Sequence, residues 1–201
     1  MATVRLDHNM LASYEAELRG QGVPVHQWLR PGLTSTEVDA LVAPIAVELP
    51  AEAKLWWEWH DGPIEQMEWE ALGPNLPFRD LTRTIERYRD MRQFVMTELD
   101  PDGPPRDDPD WWWHPTWLPF AGDGKFLLGL DCSGAVDAPV PLRSIVWSDQ
   151  DDEWRKSWHH PLGRWSPGVL EALLNGGWTW DQATNRWKVD ARLVPLQLNR
   201  I

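Results

Sequence analysis

The sequence predicts an α+β fold, in which helices pack around a small, mostly antiparallel mixed sheet. Two observations support this prediction. Apolar residues recur at helical spacing in five separate segments, whereas the runs KFLLGLD (125–131) and LRSIVW (142–147) have the length and composition of buried strands. The segment WTWDQATNRWKV (178–189) alternates in polarity and has a turn signal near Asn185, which predicts a terminal hairpin.

The first two helices are defined by their ends. A helix is predicted within residues 1–20, where Gly20 and Gly22 end the apolar stripe. A second helix is predicted to begin at a capping box, in which Thr34 caps the backbone and Glu37, three residues later, reaches back.

The third helix is predicted in LPAEAKLWWEWHDG (49–62), and helical geometry predicts which of its tryptophans are buried. Successive residues are about 100° apart around a helix axis. Leu55, Trp56 and Trp59 therefore share an arc, while Trp57 lies on the other side. We expect Trp59 to be buried and Trp57 to face outward.

The rest of the chain continues the mixture of helices and strands. Gly62 is expected to stop the third helix by adopting the left-handed conformation, and a fourth helix is expected over about residues 80–98. The tryptophan-rich segment 111–124 is predicted to be irregular or to lie at a sheet edge. A last helix is expected to open at Ser166, with Pro167 in its first turn.

Charge and cysteine content restrict the possible partners and compartment. The 201 residues include 19 basic and 31 acidic side chains and carry a net charge of −12. Nucleic acids and anionic membranes both bind basic protein surfaces, so neither is expected to be a partner of this acidic chain. A basic protein partner is favoured instead. No run of about 18 apolar residues is present for a membrane span. The single cysteine, Cys132, and a start without an apolar signal segment predict a cytoplasmic protein.

Three landmarks occur in order along the chain. An LP-plus-aromatic helix ends in HDG at residues 49–62, WLPFAGDG at residues 117–124 runs directly into a strand ending in Leu-Asp, and Ser166 opens a Leu-rich helix that ends in glycine. This order resembles the SUKH superfamily, the Smi/Knr-type domain, over about residues 33–177. The resemblance implies an α+β protein-binding domain that is not an enzyme. Bacterial members are largely immunity proteins that neutralise toxins, often nucleases, and fungal relatives are regulators in cell-wall signalling.

This resemblance divides the chain into three parts. Residues 1–32 form an N-terminal helical extension, residues 33–177 a SUKH-like domain, and residues 178–201 a C-terminal hairpin or tail. The triple tryptophan at residues 111–113 and the acidic segment after Trp147 depart from the pattern. These departures leave the partner open.

The candidate partner surface is an acidic face with tryptophans interleaved. Acidic clusters occur in residues 56–78, 98–110 and 149–153, and they are either solvated loops or a binding face. Carboxylates steer and select a basic partner, and tryptophans supply contact energy. The candidate partner-binding residues are Trp57, Glu58, Asp61, Glu65, Glu68, Trp111, Trp112, Asp107, Asp108 and Asp110.

Two other kinds of site are less well supported by the sequence. The pair His60-Asp61 suits a catalytic dyad, but it also suits a helix end near the negative pole of the helix dipole. His114, His159 and His160 lack the spacing of a metal site. We therefore expect no catalytic residue, metal or cofactor.

The resemblance to the SUKH superfamily implies a protein-binding domain, an immunity protein that neutralises a toxin, and the acidic clusters predict a basic, nuclease-type toxin that is neutralised by occlusion. Other functions stay open at this stage. They are an intracellular regulatory adaptor of the Smi/Knr type, a small hydrolase that uses His60, Asp61 or His159, and a carbohydrate-binding module.

Overall fold

The computed structural model describes residues 5–45, 47–64, 72–74, 78–98, 113–123, 126–148, 153–158, 162–195 and 198. Six α-helices lie in this part of the chain. They are α1 (His8–Gly20), α2 (Val25–Trp28), α3 (Ser35–Val42), α4 (Ala51–Trp59), α5 (Leu81–Glu98) and α6 (Leu162–Leu174). None of the described helices is long and apolar enough to cross a membrane.

The strands form two antiparallel sheets, which confirms the α+β class. The first sheet has the order β1-β2-β3-β4 and the second is the hairpin β5-β6. The strands are β1 (Trp117–Asp123), β2 (Phe126–Asp131), β3 (Leu142–Ser148), β4 (Glu153–Trp158), β5 (Trp178–Asp181) and β6 (Arg186–Val189). The terminal hairpin is as predicted, with Asn185 in the turn at a positive φ of 51°. Strand β4 was not predicted from the sequence.

The four-stranded sheet buries one face against the helices. Leu118, Leu130 and Leu142 are cross-strand neighbours on β1, β2 and β3, and their side chains are fully buried. On β2, Gly129 leaves space for the indole of Trp113, whose ring lies 3.3 Å from where a Cβ would be. Because side chains alternate along a strand, Leu127 lies on the same face as this tryptophan, and both residues are also fully buried.

The predicted start of α3 is confirmed, whereas the start of α1 at His8 was not predicted from the sequence. Asp7 caps α1 by accepting a hydrogen bond from the Met10 amide at 2.8 Å. The capping box of α3 is complete, because Thr34 accepts from the Glu37 amide and the Glu37 carboxylate accepts from the Thr34 amide. Both caps satisfy amides that have no partner within the helix.

The predicted orientation of α4 is wrong at both tryptophans that it singled out. Trp57 is fully buried, not outward-facing, and Trp59 is only partly buried. Trp56 is buried as expected. The buried arc runs through Glu52, Ala53, Trp56 and Trp57, because the region around Phe78 and Phe120 covers the Trp57 side of the helix.

The predicted start of α6 is also wrong, because the helix begins one turn earlier. Leu162 is buried, and its amide donates to the Val140 carbonyl at 2.7 Å, which anchors the first turn. Ser166 does not cap the helix; its hydroxyl donates to the Leu162 carbonyl at 2.9 Å. Pro167 consequently lies inside the helix.

The N-terminal helix and the C-terminal hairpin share the central core. Leu11 and Leu18 of α1 belong to the same buried cluster as Val169 of α6 and Trp180 of β5. Gln21, just after α1, reaches the outer edge of β5, where its side-chain carbonyl accepts from the Trp180 amide at 2.9 Å. These contacts connect the two ends of the chain.

Candidate functional site, the acidic face at the end of helix α4

The site forms where two extended segments run antiparallel. Residues 28–34, between α2 and α3, lie beside residues 57–64, at the end of α4 and after it. Four backbone hydrogen bonds hold them: the amides donate from Leu33 to Trp57 (2.9 Å), from Arg30 to Gly62 (2.9 Å), from Asp61 to Pro31 (3.3 Å) and from Ile64 to Trp28 (2.8 Å). The pairing places the first turn of α3 next to the last turn of α4.

Two glycines allow this close packing. A Cβ on Gly32 would lie 1.8 Å from the Glu58 carbonyl oxygen. Gly62 has a φ of 72°, and a Cβ there would lie 2.4 Å from the Asp80 nitrogen. The left-handed conformation predicted for Gly62 is therefore present, although α4 already ends at Trp59. Glycine is needed at this position both for its φ and for the approach of α5.

Three carboxylates, those of Glu37, Glu58 and Asp61, lie around this junction and define the acidic face. Glu37 is exposed, and hydrogen bonds from the Thr34 amide and hydroxyl hold its pKa below the ordinary value. Asp61 is half-buried, and its Oδ1 accepts from the Leu81 amide at 2.9 Å. Burial raises the pKa of Asp61, and the charges of Asp80 and Glu37 add to this effect.

The neighbouring cations are held by a different carboxylate. Arg30 donates to Asp80 at 2.9 Å, and Arg83 lies 3.6 Å from the same oxygen. Asp80 also accepts from the Arg83 amide at 2.8 Å and so caps α5. Within the described residues, no Lys or Arg forms an ion pair with any carboxylate of the acidic face. The face therefore carries carboxylates without an ion-pair partner in the described part of the chain, although the charge of Arg30 partly offsets the rise in the pKa of Asp61.

The structure does not join His60 and Asp61 as a hydrogen-bonded dyad. The Nδ1 atom of His60 lies 2.8 Å from the Arg30 carbonyl oxygen, and its Nε2 lies 3.6 Å from Glu15 Oε2. The Asp61 carboxylate instead accepts from the backbone of α5. Both side chains connect the end of α4 to neighbouring segments.

The structure tests only part of the predicted partner surface. Glu58 and Asp61 lie at the junction, both half-buried. Trp57 does not belong to the surface, because its indole is fully buried in the core. The remaining predicted residues lie outside the described part of the chain, and they are Glu65, Glu68, Asp107, Asp108, Asp110, Trp111 and Trp112.

The histidines considered as metal ligands show no such cluster where they are described. His114 Nδ1 lies 2.7 Å from the Thr116 hydroxyl, so this nitrogen is used locally. His159 and His160 lie outside the described residues. Among the residues that the structure describes, no group of three or more His, Cys, Asp or Glu side chains is placed to hold a metal ion.

Sequence reasoning missed one member of the acidic face. Glu37 was recognised only as half of a capping box, yet the box fixes Glu37 at the start of α3, beside Asp61. The capping-box pattern located Glu37 at the start of a helix but carried no information about its distance from Asp61. Nothing in the local sequence indicates that residues 28–34 pair with residues 57–64.

Comparison with known proteins does not identify the family. A scan against protein-family models and a search of curated proteins both found no match to this chain. The relation to the SUKH superfamily therefore stays a prediction from the sequence landmarks.

Proposed function

We propose that this protein is a non-enzymatic protein-binding domain, an immunity protein that occludes a basic, nuclease-type toxin domain with its acidic face. One observation carries the proposal. Glu37 lies close enough to Asp61 for its charge to raise the pKa of Asp61, and Glu58 precedes Asp61 by three residues at the same junction. None of these three carboxylates has a Lys or Arg ion-pair partner among the described residues, in a chain with a net charge of −12.

The charge pattern fits a partner that itself binds nucleic acid. A nuclease needs cationic side chains to hold phosphates. An acidic surface competes for those side chains, accelerates the encounter and disfavours acidic proteins. Occlusion in this way needs no chemistry from the inhibitor.

The state of Asp61 supports the same proposal. Its pKa is raised by burial, so keeping it ionised at neutral pH opposes folding. Ionisable groups held in unfavourable surroundings are concentrated at functional sites. A cationic partner side chain placed against Asp61 would relieve this unfavourable environment in the complex.

We expect a neighbouring gene to encode a toxin-type polypeptide, and the direct test uses that polypeptide as the probe. We expect tight binding, loss of toxin activity in the complex and an association rate that falls steeply with added salt. The screening length shrinks from about 10 Å at 0.1 M salt to about 3 Å at 1 M, which removes long-range steering. Stopped-flow fluorescence of the tryptophans measures this rate.

Matched variants locate the surface. Glu58→Lys in the acidic face should slow association at low salt, because it reverses a charge beside Asp61. Glu171→Lys, at an exposed position on α6, makes the same change in net charge elsewhere. Equal effects of the two substitutions would show that net charge acts without a specific face. Tight binding at a rate independent of salt would contradict the electrostatic mechanism.

A further inference from the structure

His60 joins three parts of the structure. It directly follows α4, its ring packs against the adjacent Trp59, and only 14% of its side chain is exposed. Its Nδ1 lies 2.8 Å from the Arg30 carbonyl. A carbonyl oxygen only accepts, so Nδ1 must carry the hydrogen. In the neutral imidazole, Nε2 is then the atom with the lone pair.

The Nε2 atom faces a carboxylate on the N-terminal helix. Glu15 Oε2, on α1, lies 3.6 Å away, and Nε2 is buried without a hydrogen bond. The same oxygen accepts from the Trp59 indole at 2.9 Å, and Glu15 also pairs with Arg19. Burial alone would raise the pKa of Glu15, but the bond from Trp59 and the charges of His60 and Arg19 hold it below the ordinary value.

We propose that protonation of His60 tightens helix α1 onto helix α4, so that this contact is a proton-sensitive latch. With neutral His60, a lone pair faces an ionised carboxylate, which is unfavourable. With protonated His60, Nε2 carries a hydrogen and forms a charge-assisted interaction with Glu15. The fixed Nδ1 hydrogen bond prevents the ring from relieving the neutral arrangement by exchanging its tautomer.

The other charged groups around the latch are already engaged with partners of their own. On α1, Arg19 binds the Glu15 carboxylate itself. In the segment before α3, the Arg30 guanidinium binds Asp80, which also takes Arg83 of α5.

The carboxylate that follows His60 is also held elsewhere. Asp61 accepts from the Leu81 amide. Within the described residues, Glu15 is the charged side chain with an atom within 4.0 Å of the His60 ring nitrogens. The latch therefore depends on one pair.

Protonation of His60 changes the stability of the contact between α1 and α4, but other contacts keep α1 in place. The chain just before α1 is fixed by Glu52 of α4, whose Oε1 accepts from the Leu6 amide at 2.9 Å. Tyr14, in the middle of α1, is buried and donates to the Leu72 carbonyl. A change at His60 should therefore alter the stability of the α1–α4 contact while the fold stays intact.

Melting curves at two pH values test the latch. The parent, His60→Asn, Glu15→Gln and the double variant are compared at about pH 8 and about pH 5.5, on either side of the ordinary histidine pKa of ~6.5. Asn keeps a donor near the Nδ1 position without titrating, and Gln keeps an acceptor for Trp59. Because the chain contains six histidines, the measured quantity is how the difference in melting temperature between each variant and the parent changes with pH.

At the lower pH, we expect the melting temperature of each single variant to lie further below that of the parent than it does at the higher pH, by roughly 2–4 °C. This is the shift that about 1 kcal/mol produces at this size. The double variant should show the same additional difference as either single variant, because each one removes the same pair. Gaps that stay equal at the two pH values, or additive effects in the double variant, would overturn the proposal.

Hydrogen exchange of the parent gives a second readout that needs no variant. After correction for intrinsic exchange rates, α1 amides should be more protected at about pH 5.5 than at about pH 8, relative to the amides of α5. Equal protection at both pH values would also overturn the proposal.

Discussion

The indole of Trp57 donates a hydrogen bond to the backbone carbonyl of Arg79 across 3.3 Å. This bond ties the last turn of α4 to the residues just before α5. The ring packs near Phe78 and Phe120, with centroid distances of 6.4 and 6.2 Å, and none of it is exposed. A side chain that the sequence assigned to a partner surface is thus part of the core.

The first prediction is that Trp57→Ala destabilises the protein strongly. Truncation of a buried tryptophan costs about 3–5 kcal/mol, and each kcal/mol shifts the melting temperature by roughly 2–4 °C at this size. We expect a melting temperature lower by roughly 6–20 °C. Trp57→Phe, which keeps the ring but loses the bond to Arg79, should fall by less. A parent-like melt for Trp57→Ala would mean that the indole is exposed in solution.

The error at Trp57 shows what helical periodicity does and does not predict. Periodicity placed Trp56 correctly, because this residue lies inside the buried arc whichever flank is covered. Trp57 and Trp59 lie on opposite flanks of that arc. Their burial depends on which elements pack there, and these are α1 on one flank and the Phe78 region on the other. Those contacts are distant in sequence, so the local pattern carries no information about them.

The second prediction is that Asp61→Asn stabilises the protein at neutral pH. The folded pKa of Asp61 is raised, so the ionised form is less favourable in the folded chain than in the unfolded chain. The folded state thus gains stability when Asp61 is protonated and loses it as pH rises through the folded pKa. Asn is neutral at every pH and can still accept from Leu81. Solvent screening keeps the effect small, and we expect the melting temperature at pH ~7 to rise by roughly 1–3 °C.

Two comparisons control this prediction. The gain should shrink below the folded pKa, where the parent is also protonated. Asp80→Asn should instead lower the melting temperature, because Asp80 is buried and pairs with Arg30 and Arg83. A melting temperature of Asp61→Asn below that of the parent at neutral pH would show that ionised Asp61 does not destabilise the folded state. If the variant binds the partner as tightly as the parent, Asp61 is not part of the interface.

The third prediction concerns Glu52, a buried carboxylate on the apolar side of α4. Its two oxygens accept from the Leu6 amide at 2.9 Å and the Val140 amide at 3.0 Å. In Glu52→Gln, one oxygen is replaced by an NH₂ group that faces an N–H donor. A buried donor without a partner costs about 1–3 kcal/mol. Urea unfolding should show this loss, while Glu48→Gln at an exposed position should not.

Glu52 also marks a limit of sequence reasoning about polar sites. Glu52 lies four residues before the buried Trp56, but nothing in the local sequence distinguishes it from an exposed glutamate. Its burial follows from two amides contributed by the N-terminal segment and by the loop between β2 and β3. The capping box of α3 was predictable because Thr34 and Glu37 satisfy each other locally, whereas Glu52 is satisfied by residues 46 and 88 positions away.

The fourth prediction is that Gln21→Ala loosens the terminal hairpin. The Gln21 side chain occupies the outer edge of β5, where it accepts from the Trp180 amide at 2.9 Å and donates to the Trp178 carbonyl at 3.4 Å. Alanine leaves both backbone groups without these partners in a part-buried place, which costs about 1–3 kcal/mol. The Trp28–Trp180 ring contact, with a centroid distance of 4.9 Å, should keep the hairpin attached.

We therefore expect faster hydrogen exchange at the Trp180 amide in Gln21→Ala, with little change in α5. Gln27→Ala is the control, because Gln27 is exposed and its side chain forms no hydrogen bond with the hairpin among the described residues. Unchanged exchange at Trp180 in Gln21→Ala would show that the tryptophan packing alone holds the hairpin.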